Sequence, residues 1–169
     1  MSGGLKDGLK DALEYLGARA LAAGFSALPG GAARSLGTAL GRLARHPLGI
    51  RRAVVEAQIA AAFPGWPEER VREVAAGCYE HFGRELAAVA RMGRLRPGTL
   101  LERTAGTEAA RAVWEEATAG GGGALLVTGH LGNWELGGAA IAALGVPVSA
   151  VVKRQSNRRV DRLLSRLRR

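Results

Sequence analysis

The sequence is poor in the residues that build several kinds of site. It holds one cysteine, Cys78, which excludes an intramolecular disulfide framework and a cysteine-based zinc cluster. A single thiol fits a reducing compartment. The three histidines do not pair with one another at ligand spacing, so no metal is implied. Aromatics are 5% of the chain and form no stacking row, which speaks against nucleic acid as a partner. Long apolar runs are missing too. The charge-free stretches 20–33 and 136–152 are broken by Pro29 and by Gly145 and Pro147. A membrane span needs about 20 consecutive apolar residues. Lys6, Asp7, Lys10, Asp11 and Glu14 leave no early apolar segment of a secretory signal, and Ser2 excludes N-myristoylation. The chain is therefore expected to stay on the cytoplasmic side.

Hydrophobic residues make up 47% of the 169 positions and charged residues 23%, enough for a packed core. The length fits one domain, or one with a helical extension. The formal charge is +9, and 21 of the 24 cations are arginine. Such a surplus favours an anionic partner: phosphate, nucleic acid, an acidic protein or an anionic membrane face.

Two textures divide the chain, residues 1–97 and 98–169. The first reads as helices. Leu5, Leu9, Leu13, Leu16 and Ala20 form one apolar stripe of a helix over about 5–23. That stripe fits a helix on its own core or one lying on a membrane. Further helices are expected over about 32–45, 49–62 and 67–92, divided by Pro29-Gly30-Gly31 and by Phe63-Pro64-Gly65-Trp66-Pro67. From Arg34 to Arg52 the only charges are five arginines, a solvated face or one that meets lipid phosphates.

The second half alternates. A short strand is expected over 99–103 and a helix over 107–119. Gly120–Gly123 is a flexible connector. Ala124-Leu125-Leu126-Val127-Thr128 is a continuous apolar run, the pattern of a strand buried on both faces. Asn133 is a candidate N-cap for a helix to about Leu144, Val148–Val152 reads as another strand, and Ser156 or Asn157 caps a last helix. The fold class expected is α/β: a helical N-terminal region followed by βαβ units of a parallel-rich sheet. Such sheets bind ligands beyond the carboxyl ends of their strands, here the loop Thr128–Asn133.

That loop carries the chemistry. His130 follows the expected strand, and Glu135 sits in the first turn of the next helix. Glu135 can accept a hydrogen bond from one ring nitrogen of His130 and leave the other as a base. Gly129 and Gly132 permit a sharp turn and close approach of a substrate. The helix N-terminus behind Asn133 offers N–H groups to an anion. A surface histidine in an ordinary loop fits the residue types equally well. A dinucleotide-binding turn does not, because the glycine spacing is wrong and Trp134 and Glu135 follow.

Val127-Thr128-Gly129-His130-Leu131-Gly132-Asn133-Trp134-Glu135 resembles the H-x4-[DE] block of lysophospholipid acyltransferase-like enzymes. It is most similar to the bacterial lipid A biosynthesis (lauroyl and myristoyl) acyltransferases and the related phosphatidylinositol mannoside acyltransferases. Ala62-Phe63-Pro64 with Glu68-Glu69-Arg70, and Lys153-Arg154-Gln155-Ser156-Asn157 with Asp161–Leu164 and Arg166–Arg169, resemble other blocks of that branch. The resemblance implies transfer of a fatty acyl chain from an acyl thioester, on acyl carrier protein or coenzyme A. The acceptor is a hydroxyl of a glycolipid such as a lipid A precursor, or of a lysophospholipid. His130 and Glu135 would be catalytic. Gly129, Gly132, Asn133, Lys153, Arg154 and Arg168 would bind substrate, with Arg166 and Arg169 as rivals of Arg168. No cofactor beyond the thioester co-substrate is implied. The place implied is the cytoplasmic face of the bacterial inner membrane, peripheral or monotopic. Lys153 stands where the branch has arginine, and lysine lacks the bidentate fork. Family members are longer, so the C-terminal part of the α/β domain is expected to be missing here and the chain alone to be inactive. The alternative is a non-enzymatic basic module that binds a membrane or an acidic protein.

Overall fold

The computed structural model describes residues 2–129 and 132–167. Among them are α1 (Ser2–Ala27), α2 (Gly30–Arg45), α3 (Arg52–Ala62), α4 (Glu68–Ala90), a 3-10 turn (Met92–Arg94), α5 (Pro97–Glu102), α6 (Thr107–Thr118), α7 (Trp134–Ala143) and α8 (Arg158–Leu167). The breaks fall where the backbone chemistry puts them. Pro29 cannot continue α1 and sits just before α2. Pro67 precedes α4, whose first turn carries Glu68 and Glu69 against the positive end of the helix.

The described residues contain no strand, which corrects the expected α/β class with its parallel-rich sheet. Residues 124–129 and 147–155 form neither helix nor ladder. Leu125 is 90% exposed and Val151 fully so. A continuous apolar run signals burial, but a strand exists only when other segments satisfy its N–H and C=O groups and cover both faces. Neither run meets those conditions. The expected short strand at 99–103 is also replaced, by α5. Pro97 occupies the first turn of that helix, where its fixed φ suits a helix start.

The chain divides into two compact units, Ala22–Ala90 and Met1–Leu21 with Arg91–Arg169. In the first, α2 and α4 run antiparallel at very close range. Ala33 and Ala87 lie in the core with Phe25 and Ala90, against Ala22, Leu28 and Leu40. One turn along α2, Gly37 meets Gly83; one turn further, Gly41 meets the backbone of Tyr79. A Cβ at Gly37 would lie 2.9 Å from the carbonyl carbon of Gly83 and 3.2 Å from the Cβ of Ala87. A Cβ at Gly83 would lie 2.8 Å from the carbonyl carbon of Gly37. Neither backbone can yield without moving its helix, so the crossing requires glycine.

Polar contacts fix the same unit. Ser26 Oγ donates to Ala90 O at 2.7 Å, and the Tyr79 hydroxyl donates to Ile50 O. Arg42 pairs with Glu80 at 2.7 Å, and Arg52 with Glu56 at 2.9 Å. Arg45 approaches Glu56 at 3.8 Å and donates to Arg72 O. Three of the five arginines between 34 and 52 are thus paired with groups of the protein itself, although Arg42 stays on its surface. The hydrogen bond from Arg52 holds the Glu56 carboxyl below its ordinary pKa, and that from Arg42 does the same for Glu80. The stability these depressed groups add is present at neutral pH and is lost as acid protonates them.

Gly83→Ala is expected to lower the stability of the chain by about 1–3 kcal/mol through overpacking. Gly77→Ala, in the same helix but with nothing within 4 Å of its added Cβ, is expected to raise it by up to about 1 kcal/mol. Thermal or urea unfolding followed by circular dichroism checks both. Equal effects of the two substitutions would contradict the close crossing.

Candidate functional site

The loop 128–135 enters α7 through a turn that its residues specify. Gly132 takes φ +58°, a left-handed conformation that few side chains adopt. Asn133 then caps the helix, its Oδ1 accepting from Leu136 N at 3.0 Å. Asn133 O accepts the first helical bond, from Gly137 N at 2.9 Å. The N-cap expected at Asn133 is therefore present. Glu135 occupies the first turn, where its charge suits the helix dipole. α5 and α6 pack against α7 and hold it in its unit.

Around this turn, Trp134 is 48% exposed, so about half of its ring is covered. Gly129 is exposed, and its carbonyl accepts a long hydrogen bond from Thr128 Oγ1 at 3.4 Å. His130 lies outside the described residues, as does Arg168. Among the described candidates, Gly132, Asn133 and Glu135 are brought together at the head of α7. Lys153 and Arg154 lie on the exposed irregular stretch 147–155, and neither forms an ion pair with a described residue.

Asn157 has a larger part than the capping role expected for it. It is 4% exposed and is the one buried polar residue among those described. Its Oδ1 accepts from Arg159 N at 3.0 Å and Val160 N at 3.3 Å, which caps α8. Its Nδ2 donates to Asp11 O at 2.8 Å and to Glu14 Oε2 at 3.0 Å, both on α1. Every hydrogen of the amide is used, and so are both lone pairs of its oxygen. The cap is legible from residue type; its partners lie 146 and 143 residues away, and no local pattern announces them. Asp161 adds a bond from Gln155 N at 2.9 Å, closing the turn in front of α8.

With this geometry in view, comparison with known proteins gives one match. The family model described as bacterial lipid A biosynthesis acyltransferase matches residues 7–169. No curated protein and no solved structure matches the chain.

Asn133→Ala is expected to cost about 0.5–2 kcal/mol, the usual loss of an N-cap. Asn157→Asp should cost more than a surface substitution, because it keeps the α8 cap but sets a second carboxylate against Glu14 and removes both donors. Unfolding curves at pH 7 and pH 4 check this. The Asn157→Asp deficit should shrink at pH 4, as one carboxyl of the pair gains a proton; a deficit independent of pH would contradict the contact.

Proposed function

Since this chain belongs to the bacterial lipid A biosynthesis acyltransferase family, we propose that His130 and Glu135 are the working pair of an acyl transfer. The observation that carries the reading is a match that runs through the whole His130–Glu135 block. His130 takes the proton from an acceptor hydroxyl as its oxygen attacks the thioester carbonyl. Glu135 accepts a hydrogen bond from the other ring nitrogen, fixes the tautomer and stabilises the imidazolium. The tetrahedral oxyanion is met by backbone N–H groups at Gly129 and Gly132. On collapse the C–S bond breaks, the thiolate leaves and recovers the proton from His130, and the acyl chain stays as an ester. No acyl-enzyme is needed. Asn133 supports this arrangement by fixing the first turn of α7, on which Glu135 stands.

The donor proposed is an acyl thioester on acyl carrier protein or coenzyme A. The acceptor is a glycolipid hydroxyl, such as that of a lipid A precursor, or a lysophospholipid hydroxyl. Lys153, Arg154 and Arg168 would meet the anionic parts of these substrates. The location proposed is the cytoplasmic face of the inner membrane, by peripheral or monotopic attachment. Among the described residues no helix is long and apolar enough to cross a membrane. Leu9, Leu13 and Leu16 nevertheless stand exposed along α1 at the spacing of one face, which supports contact with lipid.

Two outcomes are expected. In a version of the protein that turns over a radiolabelled thioester donor and a lipid A precursor, His130→Ala should lower turnover by about 10²–10⁴-fold with the circular dichroism spectrum unchanged. Glu135→Gln should lower it as well, since a neutral amide cannot stabilise the imidazolium. Wild-type turnover by folded His130→Ala would overturn the mechanism. Separately, the double variant Leu9→Ser/Leu13→Ser should lower co-sedimentation with phospholipid vesicles at least tenfold, since each leucine buried in lipid is worth about 1.5–3 kcal/mol.

A further inference from the structure

A cleft of about 330 Å³ lies between α1 and α8, lined by Tyr15, Arg159, Arg162, Leu163 and Arg166. We propose that this cleft is a binding site for a phosphate ester, held by Arg159, Arg162 and Arg166 with the Tyr15 hydroxyl as a further donor.

The spacing of the three arginines puts them together. Positions 159, 162 and 166 fall within an arc of about 60° on a helix of 3.6 residues per turn. The lining brings no acid to meet them. None of the three forms an ion pair with a described acid, and two of the acids nearby are engaged elsewhere. Glu14 accepts from Asn157 Nδ2 and lies 3.8 Å from Lys10 Nζ, and Asp161 accepts from Gln155 N. Among described residues the Tyr15 hydroxyl has no hydrogen-bond partner either.

The arrangement costs stability as it stands. Arg158 and Arg159 occupy the first turn of α8, where the helix dipole disfavours cations. Arg162 and Arg166 add like charge to the same face. A bound anion turns this repulsion into attraction. Asn157 secures the wall of the cleft, since its buried amide ties the first turn of α8 to Asp11 and Glu14 of α1. The cleft is thus built before a ligand arrives.

The chemistry selects phosphate over other anions. One guanidinium fork is enough for a carboxylate, whereas a phosphate dianion offers three oxygens that several forks and a hydroxyl can share. A phosphate monoester is mostly dianionic at pH 7, with its second pKa near 6. The volume exceeds a bare phosphate and leaves room for the alcohol part of an ester, within reach of the Leu163 side chain. A single aromatic in the lining gives no row on which nucleic-acid bases could stack.

The source of the phosphate is either a soluble ester or a lipid headgroup, and the experiment separates them. The 169-residue chain is titrated with inorganic phosphate and with glycerol 3-phosphate by calorimetry. In parallel it is sedimented with phosphatidylcholine vesicles with and without phosphatidic acid. Arg162→Ala should weaken phosphate binding at least tenfold, and Arg162→Lys should recover part of the loss. Tyr15→Phe should weaken it less than Arg162→Ala. Arg34→Ala, an exposed arginine of α2, should leave it unchanged. Loss of the phosphatidic acid-dependent sedimentation in Arg162→Ala, reversed in the wild type by competing phosphate, assigns a headgroup. Calorimetric loss with unchanged sedimentation assigns a soluble ester. Circular dichroism checks folding, and Arg166→Ala replaces Arg162→Ala if the latter unfolds. Binding equal to wild type in both arms, or an equal loss in Arg34→Ala, would overturn the proposal. Neither arm contains an acyl donor, so the result is independent of whether His130 catalyses transfer.

Discussion

The unit Ala22–Ala90 rests on a backbone contact that no side chain mediates. Gly37 and Gly83 bring two antiparallel helices to a distance at which a methyl group does not fit. Everything else in that unit is scaled to the approach. Its core is made mostly of alanines, with Phe25 the one large side chain that is fully buried. Each glycine in a helix interior costs roughly 0.5–1 kcal/mol relative to alanine, and the close packing offsets that cost through dispersion between the two backbones. The ion pair Arg42–Glu80 then falls within reach because α2 and α4 are so near.

This explains why the arginine-rich stretch behaves differently from its composition. Read along the chain, 34–52 holds cations and no acid. In the fold, Glu80 on α4 meets Arg42, and Glu56, one turn after Arg52 on α3, meets both Arg52 and Arg45 of α2. Charge that looks unbalanced over twenty residues is thus partly balanced over a few ångströms, by two carboxylates that meet three of the five arginines. The contrast with α8 is direct. There the arginines at 159, 162 and 166 line a cleft that no acid enters, and the excess charge is left for a ligand.

The helices were legible because they depend on local chemistry. The leucine stripe of α1, the prolines at 29 and 67 and the Asn133 cap all act within a few residues, and each appears close to where its residue type puts it. The expected strands failed for the converse reason. The apolar runs at 124–128 and 148–152 give periodicity and hydrophobicity, but a ladder depends on partners elsewhere, and none is present among the described residues. The head of α7 was legible in the same local way. The His130–Glu135 block pointed to an acyltransferase because its whole string is distinctive, and the family match agrees. The cleft between α1 and α8 was not legible, since one of its five lining residues, Tyr15, lies more than 140 residues before α8.

The amide of Asn157 also sets an order of events on the ribosome. Asp11 and Glu14 are made early, and their partner follows 146 and 143 residues later. At about 5–20 residues per second, α1 waits roughly 7–30 s for the residue that ties it down. During that interval its leucine face has nothing from α8 beside it, and a nearby lipid surface or a chaperone has the first opportunity to engage it. The nascent chain thus meets its surroundings through α1 well before the arginines of α8 exist.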